Sequence, residues 1–177
     1  MTVQAGAGRM AIAAGAVEDA TRAMLGIEEA GRSVLRDVRW MVGLLRDEQE
    51  QHRLSDISEL VDSARRAGLQ VEVEEQGDLS AASPAVGEVA YRVVQEAITN
   101  VLRHSTATEV LLRLTRTDQL TVEVHDSGAP VADVLPGNGL RGMQERVREV
   151  GGTVEAGPDP AGGWTVVVRL PVSGRKR

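Results

Sequence analysis

Apolar residues recur at three- and four-residue steps along the first fifty positions, a spacing that predicts helix. With heptad position a at Met10, Val17, Met24, Gly31, Val38 and Leu45, position d falls on Ala13, Ala20, Ile27, Val34 and Met41. Only Gly31 breaks the apolar seam, and every Arg, Glu and Asp between Met10 and Leu45 lies on another face. Such a stripe suits a coiled coil or a helical bundle. No later stretch supplies a partner helix, so a second copy of the chain is the expected partner through residues 10–45. The plainer alternative is one long helix packed on its own domain.

Residues 46–55 are almost wholly polar and read as a linker, which divides the chain into 1–50 and 51–177. A short helix follows, with Asp56 and Glu59 as a capping box, Ile57, Leu60, Val61 and Ala64 as its apolar face, and Gly68 as its stop. Leu69–Glu75 alternates as a strand. Ser83-Pro84 opens a helix that runs to about His104. Strands are expected near 109–116 and 119–125, then a Gly- and Pro-rich loop over 126–139, a helix over 140–150, and strands at 153–157 and 164–171. The order α-β-α-β-β-α-β-β predicts an α+β fold, a two-layer α/β sandwich with a mixed or antiparallel sheet and helices on one face.

Composition narrows the function. The 177 residues include no Phe and no Cys, and Trp40, Tyr91 and Trp164 are the only aromatics. The core must then be built from Val, Leu, Ile, Met and Ala. Single-stranded nucleic acid, which wants stacking platforms, is an unpromising partner. The net charge of -6 argues against duplex DNA and anionic membranes. Without cysteine there is no disulfide, thiolate nucleophile or Cys-based zinc site. No apolar run approaches the roughly 20 residues of a membrane span, and no signal peptide is evident, so a cytoplasmic setting is expected. Of 20 basic residues only Lys176 is a lysine. A P-loop and a protein-kinase phosphate lysine are both excluded.

Three features carry candidate chemistry. Glu96, Asn100 and His104 stand four residues apart on one helix stripe. A carboxylate, an amide oxygen and an imidazole suit a hydrated Mg²⁺ and its phosphates. On spacing alone, a solvated stripe is the stronger reading. Asp126-Ser127-Gly128 follows a strand directly; its carboxylate could accept from an exocyclic amine, and it is equally ordinary turn chemistry. Gly137-Asn138-Gly139-Leu140-Arg141-Gly142-Met143 opens a helix, so free N–H groups could face an anion, with Arg141 as an accessory; a flexible loop is the alternative.

Taken in order, Glu-x-x-x-Asn on a helix, strand-Asp-x-Gly, and Gly-x-Gly-Leu-x-Gly-Met resemble the GHKL ATP-binding superfamily of histidine kinases, gyrase, Hsp90 and MutL. The stretch Tyr91–Ser105 is similar to the N box, and Gly139–Val147 to the G box, of two-component sensor histidine kinases of the NarL/LuxR-partnered, DesK-like subfamily. Gly151–Gly157 and Trp164–Val172 are similar to its closing strands, and residues 1–47 to the second half of its dimerisation helices. The resemblance implies a GHKL fold over 51–177 that binds ATP and Mg²⁺. It implies that Asn100 is the Mg²⁺ ligand, that Glu96 is the catalytic residue ordering water or the metal's shell, and that His104 lies near the phosphates. Asp126 would accept from the adenine amino group, with Gly128 letting the ring approach. Gly137, Gly139, Leu140 and Gly142 would form the hinge and helix start of a lid. The implied partners are a second copy and a NarL/LuxR-type response regulator, with membrane attachment only through an upstream region of a longer protein.

Two departures qualify that resemblance. The family's phosphoacceptor His-Asp belongs upstream of Val3-Gln4-Ala5-Gly6-Ala7, and neither His52, His104 nor His125 has its context. The expectation is a histidine kinase portion truncated before its acceptor, binding ATP with little self-phosphorylation. Pro130 stands where the family has a second Gly, which implies a stiffer loop and reduced nucleotide affinity. The alternatives are a catalytically silent nucleotide-binding dimerisation module and, disfavoured by the long helix, an anti-sigma-factor-type serine kinase.

Overall fold

The computed structural model describes residues 2–27, 31, 51–129 and 139–172. Val34, Val38, Met41 and Leu45 of the expected seam, Trp40, positions 46–50 of the linker, Pro130, Gly137 and the basic tail lie outside the described residues. The chain separates into two compact units, Met1–Leu45 and Arg46–Arg177.

In the first unit, helix α1 spans Thr2–Ala13 and helix α2 runs over 17–27. The single helix expected here is therefore interrupted. Residues 14–16 turn the chain, with Gly15 at φ 70°, a conformation that glycine adopts without penalty. The heptad count could not register this, because Gly15 lies off the seam. Buried Gly8 brings α1 against α2: a Cβ there would stand 3.3 Å from Ala23 Cβ. Ala20 is buried, while Met10, Val17 and Met24 of the seam remain exposed.

In the second unit, helix α3 (Ile57–Arg66) buries the four apolar residues the periodicity selects, Ile57, Leu60, Val61 and Ala64. Its expected capping box does not form. Asp56 instead accepts from the Arg53 N–H at 2.7 Å, closing the short 3-10 turn Leu54–Asp56 that precedes the helix. Gly68, at φ 97°, ends α3, and the Leu69 N–H reaches back to the Ala64 carbonyl. Residues 51–55 pack on the domain, with His52 buried and stacked on Tyr91 at 4.0 Å between ring centres. Tyr91 is the aromatic member of an otherwise aliphatic core.

Helix α4 covers Pro84–His104, with Ser83 Oγ accepting from the Val86 N–H. Strands β1 (Gln70–Gln76), β2 (Glu109–Arg116), β3 (Gln119–Asp126), β4 (Thr153–Pro158) and β5 (Trp164–Pro171) form one mixed sheet in the order β1-β2-β3-β5-β4. The β1–β2 pair is parallel and the others are antiparallel. Helix α5 spans Gly139–Glu149. Alternate residues Leu112, Leu114, Leu120, Val122, Val166, Val168 and Leu170 are buried on one face, beneath Ile98 and Val94 of α4 and Met143 and Val147 of α5. The opposite face is polar: Arg113 of β2 bridges Glu74 of β1 at 2.6 Å and Glu123 of β3 at 3.1 Å. The two-layer α+β architecture expected from the element order is the one observed.

Candidate functional site

The site lies where the C-terminal half of α4 meets the end of the sheet. α4 presents Glu96, Asn100 and His104, all half-buried, beside the wholly buried Ala97, Ile98 and Val101. The stripe thus borders the core rather than standing free in solvent. His104 Nδ1 is buried and has no hydrogen-bond partner among the described residues.

Asp126 ends β3 and is 4% exposed. Its Oδ1 accepts from the Ser105 hydroxyl at 2.6 Å and from the Gly128 N–H at 3.0 Å. Ser105 Oγ in turn accepts from the Ala107 N–H at 3.1 Å. The Thr106 N–H donates to the Ala129 carbonyl, and the Ala129 N–H to Thr106 Oγ1, each at 3.1 Å. The segment after α4 is thereby laced to the segment after β3. Among the described residues, both hydrogen bonds to the Asp126 carboxylate fall on Oδ1, which leaves Oδ2 as its available acceptor.

Gly128 is demanded by this lacing. A Cβ there would overlap Ser105 Oγ and the Ala107 N, and would stand 2.8 Å from Ala107 Cα. The close approach that excludes a side chain at 128 is therefore to the chain itself. Gly139, the first residue of α5, has its open side against the Glu96 carboxylate, which fills the place of a Cβ. The glycine-led start of α5 and the carboxylate of α4 are thus brought together. Leu140 and Gly142 follow within the first turn, and a Cβ at 142 would come 3.4 Å from the Arg146 guanidinium. Arg141 points elsewhere: it is exposed and paired with Glu145 at 3.1 Å.

Two site neighbours were not legible in the motifs. Ser105 closes the stretch Tyr91–Ser105, but nothing in its position marks it as the partner of a residue 21 positions away. Trp164 is paired in register with Asp126, on the same face of the sheet, and is 39% exposed. The signal that could have found it is a tryptophan directly after the Gly162-Gly163 pair, at the start of an alternating apolar run.

A cavity of about 950 Å³ lies toward the other end of α4, between residues 51–58 and 75–88, and includes none of the candidate residues. On the polar face of the sheet, His125 Nδ1 meets Thr165 Oγ1 at 2.9 Å, and Thr165 donates to Asp159 at 3.0 Å. The Ala161 N–H first, then the Thr165 hydroxyl and nearby His125, hold the Asp159 carboxyl below the usual carboxylate range. His125 is thus engaged on the face away from the site.

The residues present fit a nucleotide and a hard cation. Glu96 and Asn100 offer oxygen ligands, α5 opens with glycine N–H groups, Asp126 keeps one acceptor free, and His104 Nδ1 lacks a partner.

Comparison with known proteins agrees with this geometry. Residues 86–174 match the family described as histidine kinase-, DNA gyrase B- and HSP90-like ATPase. The chain is similar to the sensor histidine kinase YxjM of Bacillus subtilis, with 29% identity over 88% of this chain and 39% of that protein. It is also similar to the signal transduction histidine-protein kinase/phosphatase UhpB of Salmonella typhimurium, with 32% identity over 72% of this chain and 27% of that one. The chain therefore spans about two fifths or less of these relatives. In fold it is similar to the histidine kinase domain of the Erythrobacter litoralis blue-light activated kinase EL346. That likeness has a TM-score of 0.53 at 15% identity, over 86% of this chain and 85% of that one.

Proposed function

The chain belongs to the family of histidine kinase-, DNA gyrase B- and HSP90-like ATPases, and on that premise we propose that it is the ATP-binding catalytic portion of a two-component sensor histidine kinase. The observation that carries this reading is the hydrogen-bond scheme of Asp126. Its Oδ1 is held by Ser105 and Gly128, so its Oδ2 is oriented for one further donor, as an adenine amino group provides. Residues 51–177 would be the ATP-binding domain and residues 1–50 the dimerisation segment.

The placement of the residues supports the following roles. Asn100 would ligate Mg²⁺ through its amide oxygen, and Mg²⁺ would supply charge neutralisation on the β- and γ-phosphates. Glu96 would order water in the metal's shell. Held beside Gly139, it couples that task to the start of α5. His104 would complete its Nδ1 pairing at the phosphates. Gly137, Gly139, Leu140 and Gly142 would hinge the segment that closes over them. Phosphoryl transfer needs little covalent chemistry from such a site; the residues position the nucleotide and stabilise charge.

The acceptor histidine would come from outside this sequence. His52 is stacked under Tyr91, and His125 is engaged with Thr165 on the far face. Several described apolar residues of the first unit, Met10, Ile12, Val17, Met24 and Leu25, are exposed and would suit a second copy. Phosphoryl transfer onward to a NarL/LuxR-type response regulator, in the cytoplasm, completes the reading. No helix among the described residues is long and apolar enough to cross a membrane.

The test is calorimetric titration with Mg-ADP and a non-hydrolysable ATP analogue, using Asn100→Ala and Asp126→Ala as controls. Binding by the parent chain that weakens in both variants is expected. No binding by the parent chain would overturn the reading in favour of a dimer-forming module without a working nucleotide site.

A further inference from the structure

We propose that Trp164 forms the wall of the base pocket in this chain, stacking on the nucleotide's ring and strengthening its hold on base-containing ligands. The inference rests on the reading of Asp126 as the base acceptor and adds a residue to which no motif assigned a role.

The argument starts from register. Asp126 and Trp164 are directly opposed on β3 and β5, and Val110 and Pro158 extend the same row onto β2 and β4. Residues directly opposed on one sheet face hold their Cβ atoms roughly 4.5–5.5 Å apart. Trp164 has the parity of buried Val166, Val168 and Leu170, so its indole leaves the sheet on the helix side, as the Asp126 carboxylate does. One row inward, Val124 and Val166 are buried beneath the helices. In the Asp126 row, Val110 and Asp126 are still buried, and the cover ends at Trp164, whose indole stays partly open to solvent.

The position of Trp164 is held by its neighbour. Gly163, at φ 87°, lies so close to the Asp126 backbone that a Cβ would overlap its carbonyl and stand 2.8 Å from Ser127 Cα. The turn before Trp164 is therefore clamped onto the residue that would read the base. A large, flat, partly exposed ring beside a carboxylate with one free acceptor has the two elements of base recognition: a stacking surface and an edge-directed hydrogen bond. No other aromatic ring among the described residues is exposed.

The sequence holds two tryptophans, so Trp40→Phe leaves Trp164 as the sole indole reporter. In that background, ADP and ATP are expected to change the tryptophan emission, and inorganic tripolyphosphate, which carries no base, is expected to leave it unchanged. By calorimetry, Trp164→Ala is expected to weaken ADP binding by about fivefold or more. Trp164→Phe is expected to recover most of the loss, and tripolyphosphate affinity is expected to be equal in all three chains. Thermal melting of both variants checks that the domain remains folded. Undiminished ADP affinity in Trp164→Ala overturns the proposal whatever the emission does, as does an equal loss for tripolyphosphate. Those results, with ADP binding still weakened in Asp126→Ala, would refute the role of Trp164 alone. Absence of ADP binding by the parent chain would refute this inference together with the functional reading beneath it.

Discussion

Ser105 Oγ donates to Asp126 Oδ1 at 2.6 Å, joining the residue that follows α4 to the residue that ends β3. This bond orients the carboxylate and at the same time fastens the helix that carries Glu96 and Asn100 to the sheet. Removing the hydroxyl with Ser105→Ala leaves Asp126 Oδ1 only the Gly128 N–H. A loss of about 1 kcal/mol of stability is expected, measured by urea unfolding. ADP affinity should fall as well, because the carboxylate loses one of its two restraints.

Gly128→Ala should be more damaging to the fold. The added methyl has no free direction, since Ser105 Oγ and the Ala107 backbone occupy the space. Overpacking of this kind costs roughly 1–3 kcal/mol. A variant whose melting temperature matches the parent's would show that the 105–107 segment yields easily, contrary to the lacing through Thr106 and Ala129.

Gly139→Ala should separate function from stability. Here the obstacle is the far end of the flexible Glu96 side chain, which can rotate away. Alanine also favours the helix that begins at this position. Stability is expected to change by less than about 1 kcal/mol, while phosphoryl transfer to an acceptor-bearing helix supplied in trans declines with the displaced carboxylate. Melting curves and a transfer assay on the same preparation read the two effects.

Acid should weaken the turn between β4 and β5. The Asp159 carboxyl is held below its usual range in the folded chain, chiefly by the Ala161 N–H and then by the Thr165 hydroxyl. A depressed folded value means stabilisation that is complete above the ordinary carboxylate value and lost as pH falls through the lowered one. Asp159→Asn should therefore flatten the decline in melting temperature between about pH 5 and about pH 2. A slope unchanged by the substitution would count against the arrangement.

Met143→Ala tests the packing of α5 on the sheet. Met143 is completely buried. Truncation of such a side chain costs about 2–5 kcal/mol. Chemical unfolding should show the loss, and a smaller one would mean that α5 settles into the gap.

Much of the second unit was readable because its signals are local. Alternation marks β2 and β3, Ser83-Pro84 starts α4, and Gly68 stops α3. Glu96 and Asn100 were legible as one helix stripe, and their motif context resembled a known site. Asp56 misled, because an acidic residue before a helix can cap either the helix or the turn ahead of it; the nearby Arg53 N–H won. The first unit misled at Gly15, where a seam that continues in register says nothing about a turn placed off it.

Periodicity, capping and propensity act over a few residues, so the helices and strands of the second unit, their order, the aliphatic core and the α4 stripe were already present in the amino-acid pattern. That Glu96 meets Gly139, that Ser105 holds Asp126 and that Trp164 stands opposite it emerged from the folded arrangement alone. Those relations depend on which strands pair, in what register, and on where a close approach excludes a Cβ. Residues distant along the chain settle each of these jointly, so no window of sequence contains the answer.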